Sequence, residues 1–500
     1  MPQGRETRAV RGPFPLVRGI ARREQAPHHA LPGCEIDHVP TCPHKTIGEQ
    51  LHAASGARTV SSSIHAQTRG VALRRRRNFD VEYAGVLRFL TAGESHGQAL
   101  VAIIEGLPAG LRIDAETIAA QLARRQRGYG RGRRMAIEAD RAEILSGIRR
   151  GETIGGPVAL IIRNRDWENW QKTMAVGAEP DAGASGANRA PVTRPRPGHA
   201  DLAGAVKYGR EDIRDVLERA SARETAARVA AGAVAAQFLQ SVEIEIASHV
   251  VAIGRVALPA AHTVSFERAA AIPADSQLRC VDAGLEAAMI AEIDRAREAG
   301  DTVGGAFEVI ARGVPPGLGS YTQWDRKLDG RLAQALMSIH AIKAVGIGLG
   351  VEGAALPGSQ VHDEILPGVG EPPSAWGWVR PTNNAGGLEG GVTNGEEVRA
   401  TAFMKPISTL MRPLRSIDLT TLEEAEAAIE RSDVCAVPAA AIVGEAMIAF
   451  VLAEAFLERF GGDAMVDLLA AYRAWRERQR GRFSPATSAG HPAPTRGRDR

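Results

Sequence analysis

The 500-residue chain predicts one large α+β domain, on three observations. Helical and strand-like segments alternate without the regular βαβ cadence of a doubly wound sheet, which points to layers of sheet and helix. Glycine and alanine are abundant while aromatic residues make up only 4%, so the core is expected to pack backbones closely on small side chains. Apolar residues at 44% and charged ones at 24% are ordinary for a globular chain long enough to bury a sizeable core.

Taken in order, residues 1–85 read unlike the rest: rich in Arg, Pro, Ser and His, without apolar periodicity, and closing near the run Arg74–Arg77. Residues 1–86 carry 13 Lys and Arg against 7 Asp and Glu, a balance of +6, so with the whole chain at +3 the remainder sums to −3. The basic excess belongs to this extension, and no nucleic-acid partner follows from the pI. Disorder is the first reading. A transit-type leader is opposed by Glu6, Glu24, Glu35 and Asp37. A third reading is a mis-assigned start: no Met separates Met1 from Met135, so a non-Met codon near Val81 or Val86 would leave the extension untranslated. Cys34, His38, Cys42 and His44 have metal-like spacing but lack a second well-spaced pair, and no metal is expected.

From Gly85 the texture changes. Val86–Leu90 and Ala99–Glu105 read as strands flanking a glycine-bounded loop, and Asp114–Arg125 as a short helix capped by Asp114. Ile144–Ile148 and Pro157–Arg163 are strand candidates; residues 176–198 are Pro/Gly/Ala-rich and irregular. Apolar spacing predicts helices over Glu211–Gln240, Leu285–Ala299, Leu328–Ala344, Asp418–Glu430 and Pro438–Phe460, with a strand over Val303–Arg312. From Gly481 a disordered tail is expected. No run of about 18 apolar residues suggests a membrane span, and no apolar stretch suggests a secretory signal. The four cysteines, Cys34, Cys42, Cys280 and Cys435, form no CxxC pair, which makes the cytoplasm the default compartment.

Some segments carry chemistry. VGIGLGVEG, with Gly346, Gly348, Gly350 and Gly353, invites a dinucleotide fingerprint, but ALMSIHAIKA before it reads as helix and the residues after it as strand, the reverse of what the motif needs. Close backbone packing is the better account. Residues 124–134 hold six arginines in eleven positions, with Gly128, Tyr129, Gly130 and Gly132 between them. A single tract flanked by ordered elements reads as a loop closing on an anionic ligand, with guanidinium groups for phosphate or carboxylate; an RNA-binding tract would interleave more aromatics than Tyr129. His96 sits in the turn Gly93-Glu94-Ser95-His96-Gly97, and His199 in a loop among Arg194 and Arg196. A neutral histidine beside several cations should have its pKa pushed down unless an anion occupies the site. Two loop histidines with clustered arginine suit proton transfer near a phosphate. Arg223 lies among Ala226, Ala227, Ala230, Ala231 and Gly232, residues small enough to demand close packing, so it needs an anionic partner.

Five segments, in this order, resemble the signatures of the chorismate synthase family: GESHGQALVAIIEGLP at 93–108, RRQRGYGRGRRM at 124–135, RPGHADL at 196–202, SARETAARVAAGA at 221–233 and RSDVCAVPAA at 431–440. The resemblance spans about residues 86–475 and implies a layered β-α-β sandwich with a catalytic domain over residues 86–480. It implies a 1,4-elimination of phosphate from 5-enolpyruvylshikimate 3-phosphate, giving chorismate, with reduced FMN required although no net redox change occurs. Outside sources supply the reduced FMN for bacterial and plant members, whereas fungal ones reduce it themselves, with NADPH as the reductant; members are typically homotetramers. Carried over by position, His96 is the general acid near the leaving phosphate, His199 steadies the anionic reduced flavin, and Asp433 assists proton removal near flavin N5. Arg125 and Arg131 match the substrate and NADP region, and Arg223 faces the substrate. FMN contacts fall on Arg219, Ala220, Ser221, His340, Ala341, Gly390, Lys405, Pro406, Ile407, Ser408, Thr409 and Arg431. A catalytically dead homologue is the remaining alternative, though all three proton-handling positions are filled.

Overall fold

Alternation of apolar residues sets the first layer. In the computed structural model, which describes residues 87–132, 140–177, 190–368, 376–430 and 433–483, β1 (Arg88–Ala92) and β2 (Ala99–Glu105) form an antiparallel hairpin. β3 (Ala142–Ser146) and β4 (Val158–Arg163) complete an antiparallel sheet of order β1-β2-β4-β3. Leu100, Ala102, Ile104, Val158, Leu160 and Ile162 are buried on its inner face, as a period of two requires. The described residues all fall within the larger of the chain's two compact units.

A second antiparallel sheet has the order β8-β9-β7-β5-β6, built from β5 (Glu245–Ile253), β6 (Val256–Ala257), β7 (Gly305–Arg312), β8 (Ile342–Ile347) and β9 (Val398–Met404). Between the sheets lie two helices, α3 (Thr225–Ser241) against the first sheet and α6 (Val437–Phe460) against the second. Both are apolar almost all round, as a helix enclosed by other elements must be. The result is the expected β-α-β sandwich. α1 (Ala115–Gln126) leans on both central helices; Asp114 caps it, accepting from the N–H groups of Glu116 and Thr117. α2 (Asp201–Tyr208), α4 (Ala283–Glu298), α5 (Leu328–Met337) and α7 (Met465–Phe483) lie around this core.

Several expectations need correction. The helix over Glu211–Gln240 is interrupted: a turn at Arg214–Leu217 is followed by a 3-10 turn at Ala222–Glu224, and only Thr225 begins α3. Ser221 takes an extended backbone and its hydroxyl accepts the Arg223 N–H, so a side-chain cap starts a new segment where alanine content alone would have continued the old one. α5 stops at Met337, and Ile342–Ile347 instead joins the second sheet, pairing with β9. Consequently a strand, not a helix, leads into VGIGLGVEG and takes in its first three residues, and a short 3-10 turn begins at Gly353. The dinucleotide motif still fails for want of a following helix, and close packing holds: a Cβ at Gly348 would sit 2.0 Å from the Asn384 carbonyl.

Asp418–Glu430 is not a helix but part of a hairpin pairing Arg415–Ile417 with Glu424–Glu426. Asp418 closes it by accepting from the Thr420 N–H and the Thr193 hydroxyl. Nor does the tail begin at Gly481, since α7 runs to Phe483; its frequent arginines mask a stripe of Leu468, Tyr472 and Trp475 packed on Phe456 and Phe460. Finally, α6 is by length and composition apolar enough to cross a membrane, contrary to expectation, but 94% of its most apolar window is buried in the core.

Candidate functional site

The hairpin turn between β1 and β2 carries His96. Gly93 opens the turn at φ +103°, where a Cβ would meet the Ala99 carbonyl. The residues after the turn at Arg214–Leu217 then clasp the loop from the other side. Glu218 accepts the His96 backbone N–H at 2.8 Å and the ring Nδ1 at 2.9 Å, while its own carbonyl accepts the Ser95 N–H at 3.0 Å. Trp170 stacks on the His96 ring with centroids 3.8 Å apart. Ser221 Oγ donates to Ser95 Oγ, and Arg219 donates to the carbonyls of Gly93 and Thr91. Ala220 is held by its N–H on the Val216 carbonyl.

Asn164, just past the end of β4, joins this loop to the arginines. Its Nδ2 donates to the carbonyls of Gly97 and Glu94, and its Oδ1 accepts from Arg223 Nε and Nη2. Arg223, 6% exposed, also pairs with Asp140, the anionic partner its setting demands. Arg125, 4% exposed, reaches the same Asp140 at 3.8 Å and donates to Thr225 Oγ1 and the Ala222 carbonyl. Two buried guanidiniums therefore converge on one carboxylate beside the His96 loop.

His199 has its own carboxylate. Asp201 Oδ1 lies 2.5 Å from His199 Nδ1, and Asp201 also accepts from Arg196. Burial alone would raise the Asp201 carboxyl, but hydrogen bonds from His199 and Arg196 and the Arg196 charge hold it well below the usual range. The anion that a histidine among cations needs is thus internal. Arg196 Nη1 donates to Thr409 Oγ1, and a Cβ at Gly198 would lie 3.4 Å from Ser408 Oγ and 3.5 Å from Lys405 Nζ, so this loop rests on the 405–409 segment. There Lys405 Nζ donates to Ser408 Oγ and weakly to the Pro406 carbonyl, while Ile407 is held by the Thr302 hydroxyl. Burial, with Lys343 nearby, lowers the Lys405 ammonium.

His340 and Ala341 occupy the bend between α5 and β8, with Ala341 at φ +65° accepting the Lys405 N–H. Burial pushes the His340 ring down to about 4, with Arg228, His199 and Arg125 acting in the same sense and Glu224 opposing. Its Nδ1 is buried with no hydrogen-bond partner among the described residues.

Asp433 closes the arginine-glycine loop: its carboxylate accepts the Gly132 N–H at 2.7 Å and pairs with Arg131 at 3.0 Å. Val303 donates to the Val434 carbonyl and Thr302 to that of Ile407, so the segment after Asp433 lies beside 405–409. Gly390 is not drawn in: it tips a hairpin of Leu388–Glu389 and Val392–Thr393, and no hydrogen bond among the described residues ties it to the other candidates. Arg431 lies outside the described residues, as do Cys34, His38, Cys42 and His44. Among the described residues no cluster of three or more metal-ligating side chains occurs.

Arg124, in the last turn of α1, pairs with Glu445, and Arg127, which is exposed, donates to the Ala274 carbonyl. Sequence reasoning missed Asp140, Asn164, Trp170, Glu218 and Thr225. Asp201 was within reach, two residues from His199; the others stand far along the chain from what they hold, and no spacing marks them.

A chorismate synthase family model matches residues 87–457. The chorismate synthase of Desulforudis audaxviator is 59% identical over 395 residues, covering 79% of this chain and 98% of that protein. That of Moorella thermoacetica is 59% identical over 393 residues, covering 78% and 99%. A crystal structure of chorismate synthase superposes with a TM-score of 0.63 at 43% identity, covering 79% of this chain and 99% of the other.

Proposed function

This chain belongs to the chorismate synthase family of lyases, and we propose that it eliminates phosphate from 5-enolpyruvylshikimate 3-phosphate to form chorismate. The step is an anti-1,4-elimination in the common route to the aromatic amino acids: the C–O bond to phosphate and a ring C–H bond break, and a diene forms. The observation that carries the reading is the convergence of Arg125 and Arg223 on Asp140 beside the His96 loop, linked through Asn164. Preorganised guanidiniums stabilise charge as it develops on a departing phosphate, because they need no reorganisation at the moment of reaction.

His96 delivers a proton to the phosphate, a contribution of about 10²–10⁴ in rate. His199, its Nδ1 anchored by Asp201, steadies negative charge on the cofactor side, and Asp433, held by Arg131 and the Gly132 N–H, assists removal of the ring proton. Arg131 shares the substrate and NADP region with Arg125.

The residues present fit FMN. Lys405, Lys343, Ser408 and Thr409 offer cations and hydroxyls suited to its phosphate, and the orphaned His340 Nδ1 offers a polar atom in need of a partner. Ala341 and Pro406 flank the Lys405 N–H bond to the Ala341 carbonyl, Ile407 follows them, and Arg219, Ala220 and Ser221 lie beside the His96 loop. The family resemblance would add Arg431 and Gly390, the latter on a hairpin apart from the rest. Reduced flavin, when bound, supplies electron density that is afterwards returned. The same reading takes the enzyme as a cytoplasmic homotetramer. An anaerobic assay of the purified protein with substrate and reduced FMN, with and without NADPH, tests it. Phosphate and chorismate should appear in equal amounts with reduced FMN; no phosphate release under those conditions would refute the reading.

A further inference from the structure

Both candidate catalytic histidines present Nδ1 to a buried carboxylate, but the two arrangements differ in origin. Asp201 follows His199 by two residues. Glu218 lies 122 residues beyond His96 and is brought to it only by the fold.

Glu218 makes unusually many ties to one loop. Oε2 accepts the His96 backbone N–H at 2.8 Å, Oε1 meets Nδ1 at 2.9 Å, and the Glu218 carbonyl accepts the Ser95 N–H at 3.0 Å. One carboxylate therefore binds both the main chain and the ring of the same residue, which fixes where the ring starts and which way it turns. The Glu218 side chain is 1% exposed, so water does not compete for it. Trp170 limits the ring's tilt by stacking 22° from parallel, and Arg214 lies over the indole at 5.6 Å.

A carboxylate only accepts, so the proton between the two groups sits on Nδ1. Second partners of this kind decide which nitrogen of a histidine does the chemistry. We propose that Glu218 is a positioning residue for the elimination: by fixing Nδ1–H and the ring's orientation, it assigns proton delivery to His96 Nε2. This rests on the reading of His96 as the proton donor.

The test uses the full chain with ¹⁵N-labelled histidine, His96 being identified by the signals lost in His96→Ala. Solid-state ¹⁵N spectra report the protonated nitrogen, and the anaerobic assay reports kcat and KM. In wild type and Glu218→Gln, whose amide oxygen still accepts, Nδ1 should carry the proton. In Glu218→Ala the proton should spread over both nitrogens, kcat should fall at least about tenfold and KM should change less than about threefold. Glu218→Gln should recover kcat at least about threefold over Glu218→Ala. A protein destabilised but otherwise normal would show neither the changed ring signals nor the recovery. If Glu218→Ala does not fold, Glu218→Asp, shorter by one methylene, should show the same losses. His96 signals unchanged from wild type in the Ala or Asp variant would overturn the proposal. So would wild-type kcat in that variant while His96→Ala is impaired. Wild-type kcat in His96→Ala itself would bring down the proton-donor reading, and this proposal with it.

Discussion

His96→Ala and His199→Ala should each slow turnover by at least about tenfold while leaving FMN binding measurable. The proposed FMN contacts come mainly from other residues, so titration of the flavin fluorescence should still report binding. Wild-type turnover in either variant would sink the role given to it. His340 offers a test that needs no activity. Burial holds its ring near 4, against 6.5 ordinarily, so the unfolded chain gains a proton that the folded chain refuses between those values. Stability is therefore lost as pH falls from 6.5 towards 4. Relative to the parent, His340→Gln should gain stability over that window and run parallel to it above pH 7. Urea denaturation across the series measures this, and curves parallel throughout would count against a neutral buried His340. At this scale the sequence shows the candidate side chains but not their partners. His96, His199 and Arg223 are legible because their types and loop settings are local. Asp140 and Asn164 are not, lying 83 and 59 residues from the Arg223 they hold.

Elements follow the same rule. α3 and α6 cross where Gly232 meets Ala446, and a Cβ at Gly232 would stand 2.3 Å from the Ala446 Cβ and 2.5 Å from its Cα. Neither backbone yields cheaply, so Gly232→Ala should cost about 1–3 kcal/mol despite alanine's better helix propensity. Chemical denaturation of the two proteins would read it; an unchanged or raised midpoint would mean the helices separate freely. Helices enclosed on all sides and strands with clean alternation are legible, as Ala99–Glu105 and Pro438–Phe460 illustrate. The failures share one cause. Ile342–Ile347 becomes a strand because β9 offers it hydrogen bonds, and Asp418–Glu430 becomes a hairpin because Asp418 and Thr193 close a turn. Partners distant in sequence outweigh local propensity of a few tenths of a kcal/mol per residue.

For the whole molecule, we expect deletion of residues 1–85 to leave activity intact, since the family match begins at residue 87 and every element of the sandwich lies beyond it. Soluble, active truncated protein would bear this out; loss of soluble protein would refute it. Sequence alone determined the α+β class, the apolar helix α6, the two candidate histidines and, through five ordered motifs, the family. These depend on residue type and on spacing along the chain, which local physics reads directly. Tertiary structure decided which carboxylate each histidine and arginine meets, where the Ala-rich segment breaks, and that α6 is a core helix. Those outcomes depend on which surfaces are brought together, and burial, not sequence separation, sets the strength of a charge–charge contact.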